Sequence, residues 1–156
     1  MTIAQRSVHM ARIGSKDTKP EISVRRLLHR LGYRFRLHRR DLPGTPDLVF
    51  PSRRKVIFVH GCFWHHHPGC RLASIPKTRT DFWMKKFSRN RERDIEAIDQ
   101  LSKLRWEVCV VWQCETRRPE LLEARLISFL DARDVSHATS AHPATAIKDF
   151  KPPCEL

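Results

Sequence analysis

Apolar residues recur along this chain with two different periods, and the switches between them divide it into elements. Ile22, Leu27, Leu28 and Leu31 form a helical stripe. Thr18 followed by Glu21 has the spacing of a capping box, Pro20 is tolerated in a first turn, and Gly32 follows the last apolar position, so a helix is expected over residues 19–31. Tyr33 to Leu37 then alternates large apolar residues with Arg34 and Arg36, the pattern of a half-buried strand with a basic outer face. Leu42-Pro43-Gly44-Thr45-Pro46 cannot be helical, because proline and the residue before it favour extended backbone. Asp47 to Phe50 reads as a second strand, Pro51 to Arg54 as a turn, and Lys55 to His60 as a third strand built on Val56, Ile57, Phe58 and Val59. If the four-residue turn sets the register of an antiparallel hairpin, Asp47 lies opposite Phe58 and diagonal to His60, on one face.

The next twenty residues, Gly61 to Thr80, hold too many Cys, His, Pro and basic residues for an ordinary connection. Thr80 is placed to cap a long helix to about Leu104, with Ile95, Ile98, Leu101 and Leu104 at helical spacing and Lys85, Lys86, Arg89, Arg91 and Arg93 on other faces. Trp106 to Trp112 (WEVCVVW) is a continuous apolar run, expected as a central strand. Pro119 opens a last helix carrying Leu121, Leu122, Leu126, Ile127, Phe129 and Leu130. The order helix, three strands, helix, strand, helix is that of an α/β domain, a mixed β-sheet flanked by helices. Residues 1–17 are expected as a basic N-terminal arm, 18–132 as the folded domain, and 133–156, rich in Ala, Ser, Thr, His and Pro, as a disordered tail.

Charge narrows the range of partners. Thirty Lys and Arg against 17 Asp and Glu give a formal net charge of +13. The tail is close to neutral, so the excess belongs to the body and points to a polyanion, with nucleic acid first. No apolar run approaches the roughly 20 residues of a membrane-spanning helix, and the N-terminus lacks a signal-peptide apolar segment. A reducing cytoplasm without disulfides is the expected setting for the five cysteines.

The chemistry concentrates where the third strand ends. Cys62, His67 and Cys70 supply thiolate and imidazole ligands from one loop, and Cys114, just past WEVCVVW, is a natural fourth for a tetrahedral structural Zn²⁺. His66 competes with His67 for the imidazole position, with His67 preferred. Cys109 reads as a core residue and Cys154 as a tail thiol. Asp47 at a strand end, with His60 across the hairpin, suggests a hard-cation site of the kind Mg²⁺ occupies with few protein oxygens. Phe63, Trp64 and Trp83 are aromatic residues on a loop and a helix start, suited to wedging between base pairs.

The runs LPGTPDLVF, VIFVHGCFWHHHPGC, TRTDFWMKKFSRNRERD and WEVCVVWQCE, spanning roughly residues 6 to 115, together resemble the very short patch repair endonucleases. Members of that family nick DNA beside a T·G mismatch left by deamination of 5-methylcytosine. The resemblance implies a restriction-endonuclease-like fold in which Phe58-Val59-His60 fills the slot of the usual acidic and lysine residues. It implies Asp47 and the Val59 carbonyl as Mg²⁺ ligands, His65 as the group activating water, and His60 as its assistant at the phosphate. Glu21 matches an acidic position near the metal. Cys62, His67, Cys70 and Cys114 match the zinc ligands, and Phe63, Trp64 and Trp83 the residues that intercalate beside the mismatch. The expected substrate is double-stranded DNA nicked 5′ to the mismatched T, handled by a monomer associated with the bacterial nucleoid. Two departures stand out. Pro68-Gly69 lengthens a ligand spacing that some relatives shorten, and Arg105 stands where glycine is common.

Overall fold

The structure, a computed structural model, describes residues 16–133 together with Thr2, Gln5, Val8 and Gly14. Most of the expected basic arm and nearly all of the expected disordered tail lie outside the described residues. Helix α1 spans Lys19–Arg30, strand β1 Arg36–Leu37, β2 Leu48–Phe50, β3 Lys55–His60, helix α2 Thr80–Lys103, β4 Glu107–Trp112 and α3 Pro119–Asp131. The four strands form one sheet in the order β1-β2-β3-β4. The first three are antiparallel neighbours, and β4 joins β3 in parallel.

The register of the β2–β3 hairpin decides what reaches the end of the sheet. Leu48 pairs with Ile57 and Val49 with Val56, so continuing the ladder by one residue sets Asp47 opposite Phe58, as the turn length implied. Because side chains alternate along a strand, β3 feeds two cores. Ile57 and Val59 join Val24, Leu27 and Leu28 of α1 and Leu122, Leu126 and Leu130 of α3. Val56 and Phe58 pack on the other face with Leu42, Val49, Leu101 of α2 and Trp106. Helices α1 and α3 therefore cover one face and α2 the other. All six residues of β3 are buried, including Lys55, whose Nζ donates to the carbonyl oxygens of Phe129 and Ala132, both at 2.6 Å, and so closes the C-terminal end of α3.

Several expectations need correction. The apolar run of β4 lies at an edge of the described sheet, not at its centre, and its two faces differ: Cys109 and Val111 are buried while Val108 and Val110 are only half-buried. The first strand is reduced to two exposed residues, since Tyr33 and Phe35 leave the ladder to pack edge-on against Phe50. Thr80 does not cap α2. Arg79 holds the cap position with φ 55° and makes no side-chain cap bond, and Thr80 Oγ1 donates to Pro76 O at 3.4 Å. Along α2 the buried residues are Phe87, Ala97 and Leu101, whereas Ile95 and Leu104 face solvent, as does Leu121 on α3.

Backbone geometry explains two turns. Gly44 has φ +73°, and a Cβ there would lie 2.6 Å from the Cβ of Ala97 and 3.1 Å from the Phe58 ring. Only glycine lets the Leu42–Pro46 turn press against α2. Arg105 also has positive φ, 60°, so the backbone before β4 has the left-handed geometry that glycine accepts without strain and arginine does not.

Candidate functional site

The parallel β3–β4 pair ends with His60 beside Trp112, and beyond this end the loop from Gly61 folds back through successive backbone bonds. His65 N donates to Gly61 O (3.1 Å), His66 N to Phe63 O (3.2 Å) and His67 N to Cys62 O (2.9 Å). These tight turns send the consecutive histidines in different directions. His65 stacks flat on His60, with ring centroids 3.8 Å apart. His66 stacks on Phe87 of α2, and His67 lies against Trp112.

A cleft of about 710 Å³ opens over this strand end, lined by Glu21, His38, Asp47, Val59, His60, His65 and Asp94, with Lys16, Arg40 and Arg93 at its basic margin. Asp47 Oδ2 accepts from Val59 N at 2.7 Å. Burial dominates this carboxyl and raises its pKa to about 6, with the Glu21 charge adding to the rise while the Val59 N–H, Arg25 and His65 oppose it. His60 is pushed the other way, down to about 3, by burial and then by its stacked neighbour His65, with Asp94 opposing. It is therefore a neutral imidazole at physiological pH. His65 Nδ1 lies 2.5 Å from Asp94 Oδ2, which fixes the ring and leaves Nε2 to face other partners.

Asp94 is the member of this group that sequence reasoning missed. It sits among Arg91, Arg93 and Glu96 on a helix whose exposed charges hide it. Its signal was helical spacing: Asn90, Asp94 and Ala97 share the stripe that faces the sheet, and Ala97 is the residue that meets Gly44. Glu21 makes the expected capping-box contacts with Thr18 and also lines the cleft. It is buried, its backbone N–H donates to Thr18 Oγ1 (3.5 Å), and its carboxylate accepts from Asp17 N (3.0 Å) and from Arg25 Nη2 (3.0 Å) while lining the cleft.

A second cluster meets the first at Trp112, which His60, His65 and His67 all contact. Cys62, His67, Cys70 and Cys114 offer ligand atoms all within 4.8 Å of one another, the first three buried. His67 Nδ1 is 3.7 Å from Cys62 Sγ and 3.5 Å from Cys114 Sγ. Cys114 arrives on a 3₁₀ turn, Gln113–Arg117, that periodicity did not reveal. Its position is locked by Glu115, which accepts from Trp112 N (2.7 Å) and pairs with Arg125 of α3 (2.7 Å). Burial pushes the Cys62 thiol up to about 11 and lowers the His67 pKa. Cys109 stays in the α1–α3 core, away from the cluster.

At the rim, Phe63 touches Trp64, Trp83 and Phe87 with ring centroids 5.2–5.3 Å apart. Trp64 and Trp83 remain half-buried, and the Lys86 ammonium sits over both, 5.0 and 5.6 Å from their centroids. Asn90 Nδ2 donates to Trp64 O at 2.8 Å, tying the aromatic loop to α2.

The sequence that builds this cleft and the thiol–imidazole cluster also has relatives among known proteins. Residues 1–71 match the family model described as DNA mismatch endonuclease Vsr. The chain is 58% identical over 122 residues to the type II nicking enzyme V.XorIIP of Xanthomonas oryzae pv. oryzae, covering 78% of this chain and 89% of that protein. It is 46% identical over 119 residues to the DNA mismatch endonuclease Vsr of Escherichia coli K12, covering 76% of each. With the type II nicking enzyme V.NmeAIP of Neisseria meningitidis serogroup A it shares 42% identity over 125 residues, 80% of this chain and 89% of the relative. The chain belongs to the Vsr DNA mismatch endonuclease family.

Proposed function

We propose that this protein is a Mg²⁺-dependent endonuclease that nicks duplex DNA on the 5′ side of the T in a T·G mismatch. The observation that carries the reading is the convergence of Asp47, His60, His65 and Asp94 in one cleft with basic margins, beside an aromatic cluster. The names of its relatives, mismatch and nicking endonucleases, point the same way.

A divalent cation suits the cleft. A half-buried carboxylate whose proton is held up to about 6 gains most from a cation that stabilises its charge. Asp47 and the Val59 carbonyl would hold Mg²⁺, which supplies charge stabilisation at the phosphate. His65 takes a proton from the attacking water through Nε2, and Asp94 orients the ring and balances the imidazolium that forms. His60, neutral and stacked against His65, donates a hydrogen bond toward the phosphate. Glu21 stabilises the cationic surroundings of Asp47 through Arg25. Three thiols and an imidazole at mutual ligand distance are the donor set of structural zinc, and Cys62, His67, Cys70 and Cys114 would hold it, stapling the loop to the end of β4.

Recognition falls to the rim. Unstacking a base step costs a few kcal/mol and costs least at a mismatch, so Phe63, Trp64 and Trp83 discriminate by inserting where the duplex opens most easily. Lys85, Lys86, Arg89, Arg91 and Arg93 of α2 supply sequence-independent phosphate attraction. The test is Asp47→Asn: nicking of a T·G duplex in Mg²⁺ is expected to disappear while affinity for the duplex changes less than about threefold, because the lost charge holds metal and not DNA. Nicking by the variant at the wild-type rate would overturn the assignment.

A further inference from the structure

His38 belongs to none of the roles assigned above, yet it touches the carboxylate on which they depend. It follows β1 with φ +45°, and its backbone N–H donates to Asp47 O at 3.3 Å. Its half-buried ring lies among three groups. Nε2 is 2.9 Å from Arg25 Nη2 and 3.7 Å from Glu21 Oε2, and Nδ1 is 3.7 Å from Asp47 Oδ1, an electrostatic contact longer than a hydrogen bond. A guanidinium can only donate, so Nε2 must accept, and the ring proton is left on Nδ1, directed to the Asp47 side. Arg25 is itself anchored, by Asp17 at 2.6 Å and Glu21 at 3.0 Å. Asp17, Glu21 and His38 cluster closely enough to suggest a cation site of their own, but the Arg25 guanidinium already lies within hydrogen-bond reach of all three and excludes a second cation there.

We propose that His38 is a positioning residue of the nicking reaction: engaged by Arg25 at Nε2, it presents Nδ1–H to Oδ1 of Asp47 and, with the Val59 N–H at Oδ2, fixes the carboxylate plane for the divalent cation. The two oxygens then have separate assignments. Oδ2 is held by the backbone of β3, and Oδ1 is steered by an imidazole whose tautomer is set from α1. This inference rests on Asp47 as the cation ligand. Groups that orient a metal-binding carboxylate change metal affinity by roughly 10–100-fold when removed, so the effect belongs in cation binding and not in DNA binding.

The experiment compares wild type, His38→Ala, His38→Asn, His38→Leu and Asp47→Asn as full-length zinc-loaded protein. It measures Ca²⁺ affinity of the protein–DNA complex by calorimetry, half-saturating Mg²⁺ for single-turnover nicking, and metal-free DNA affinity. His38→Ala is expected to weaken both cation affinities about tenfold with DNA affinity unchanged. His38→Asn, whose amide nitrogen stands at the Nδ1 position, should recover most of the loss. If His38→Ala does not fold, His38→Leu, which keeps the packing and lacks the N–H, carries the same expectation. Unchanged Ca²⁺ and Mg²⁺ dependence in a folded Ala or Leu variant overturns the role of His38. If Asp47→Asn itself binds Ca²⁺ and nicks like wild type, the cation assignment fails, and the His38 proposal with it.

Discussion

Ionised Asp47 costs the fold stability, and the size of that cost can be measured. Its carboxyl, ordinarily at 3.8, is raised to about 6, chiefly by burial. A shift of about 2 units corresponds to roughly 3 kcal/mol by which the ionised group destabilises the fold at neutral pH. The sign follows from proton counting. Between 3.8 and 6 the native state binds more protons than the unfolded chain, so this group's contribution to stability falls as pH rises through that window and levels off above it. Asp47→Asn removes the charge, and the amide oxygen can still accept from Val59 N. The new NH₂ needs partners, which offsets about 1 kcal/mol. The variant should therefore be more stable than wild type by about 1–2 kcal/mol at pH 7.5 without Mg²⁺, a rise in Tm of roughly 3–8 °C for a domain of this size. The charge penalty falls to about half by pH 5, and the difference between the proteins should shrink with it. Thermal melts of both proteins, zinc-loaded and in the same buffers, provide the check. A variant that melts at or below wild type at pH 7.5, or a difference that ignores pH, would refute the reasoning.

Asp94→Asn should slow single-turnover nicking by on the order of 100-fold, since a neutral amide no longer balances the His65 imidazolium; duplex affinity measured alongside should stay within a few fold. Cys114→Ala should release zinc, read by a chromophoric chelator, and lower Tm markedly, because metal affinity at a structural site is coupled to folding; wild-type zinc content and Tm would remove Cys114 from the ligand set. Trp64→Ala should lose most of the affinity difference between T·G and T·A duplexes while binding to paired DNA falls little, since the basic face of α2 is untouched. An unchanged preference would move the wedge to Phe63 and Trp83.

Local rules made much of this site readable before the fold was known. A short turn and alternating apolar residues place Asp47 opposite Phe58, and the Cys and His spacing gathers on one loop three groups that could hold a metal. His66 and His67 could not be separated by spacing, because only the tight backbone turns after Gly61 decide which ring meets Cys62 and Cys114 and which meets Phe87. Asp94 and His38 were hidden for a related reason. Each lies in a basic stretch, and what singles it out is tertiary: the stripe of α2 that Gly44 admits against the sheet, and a positive φ that turns an imidazole back toward Asp47. The edge position of β4 was missed because a run of apolar residues signals burial without saying which neighbour supplies it.

The central claim is that one cleft couples cation-dependent hydrolysis to recognition of a mismatch. Its most direct measurement is single-turnover nicking of two end-labelled duplexes, identical except for T·G or T·A at one position, at one salt concentration with and without Mg²⁺. A single nick is expected, on the T-bearing strand 5′ to the mismatched T, in the T·G duplex with Mg²⁺ present and in none of the other three reactions. Equal nicking of both duplexes, or nicking of the T·G duplex without added divalent cation, would contradict it.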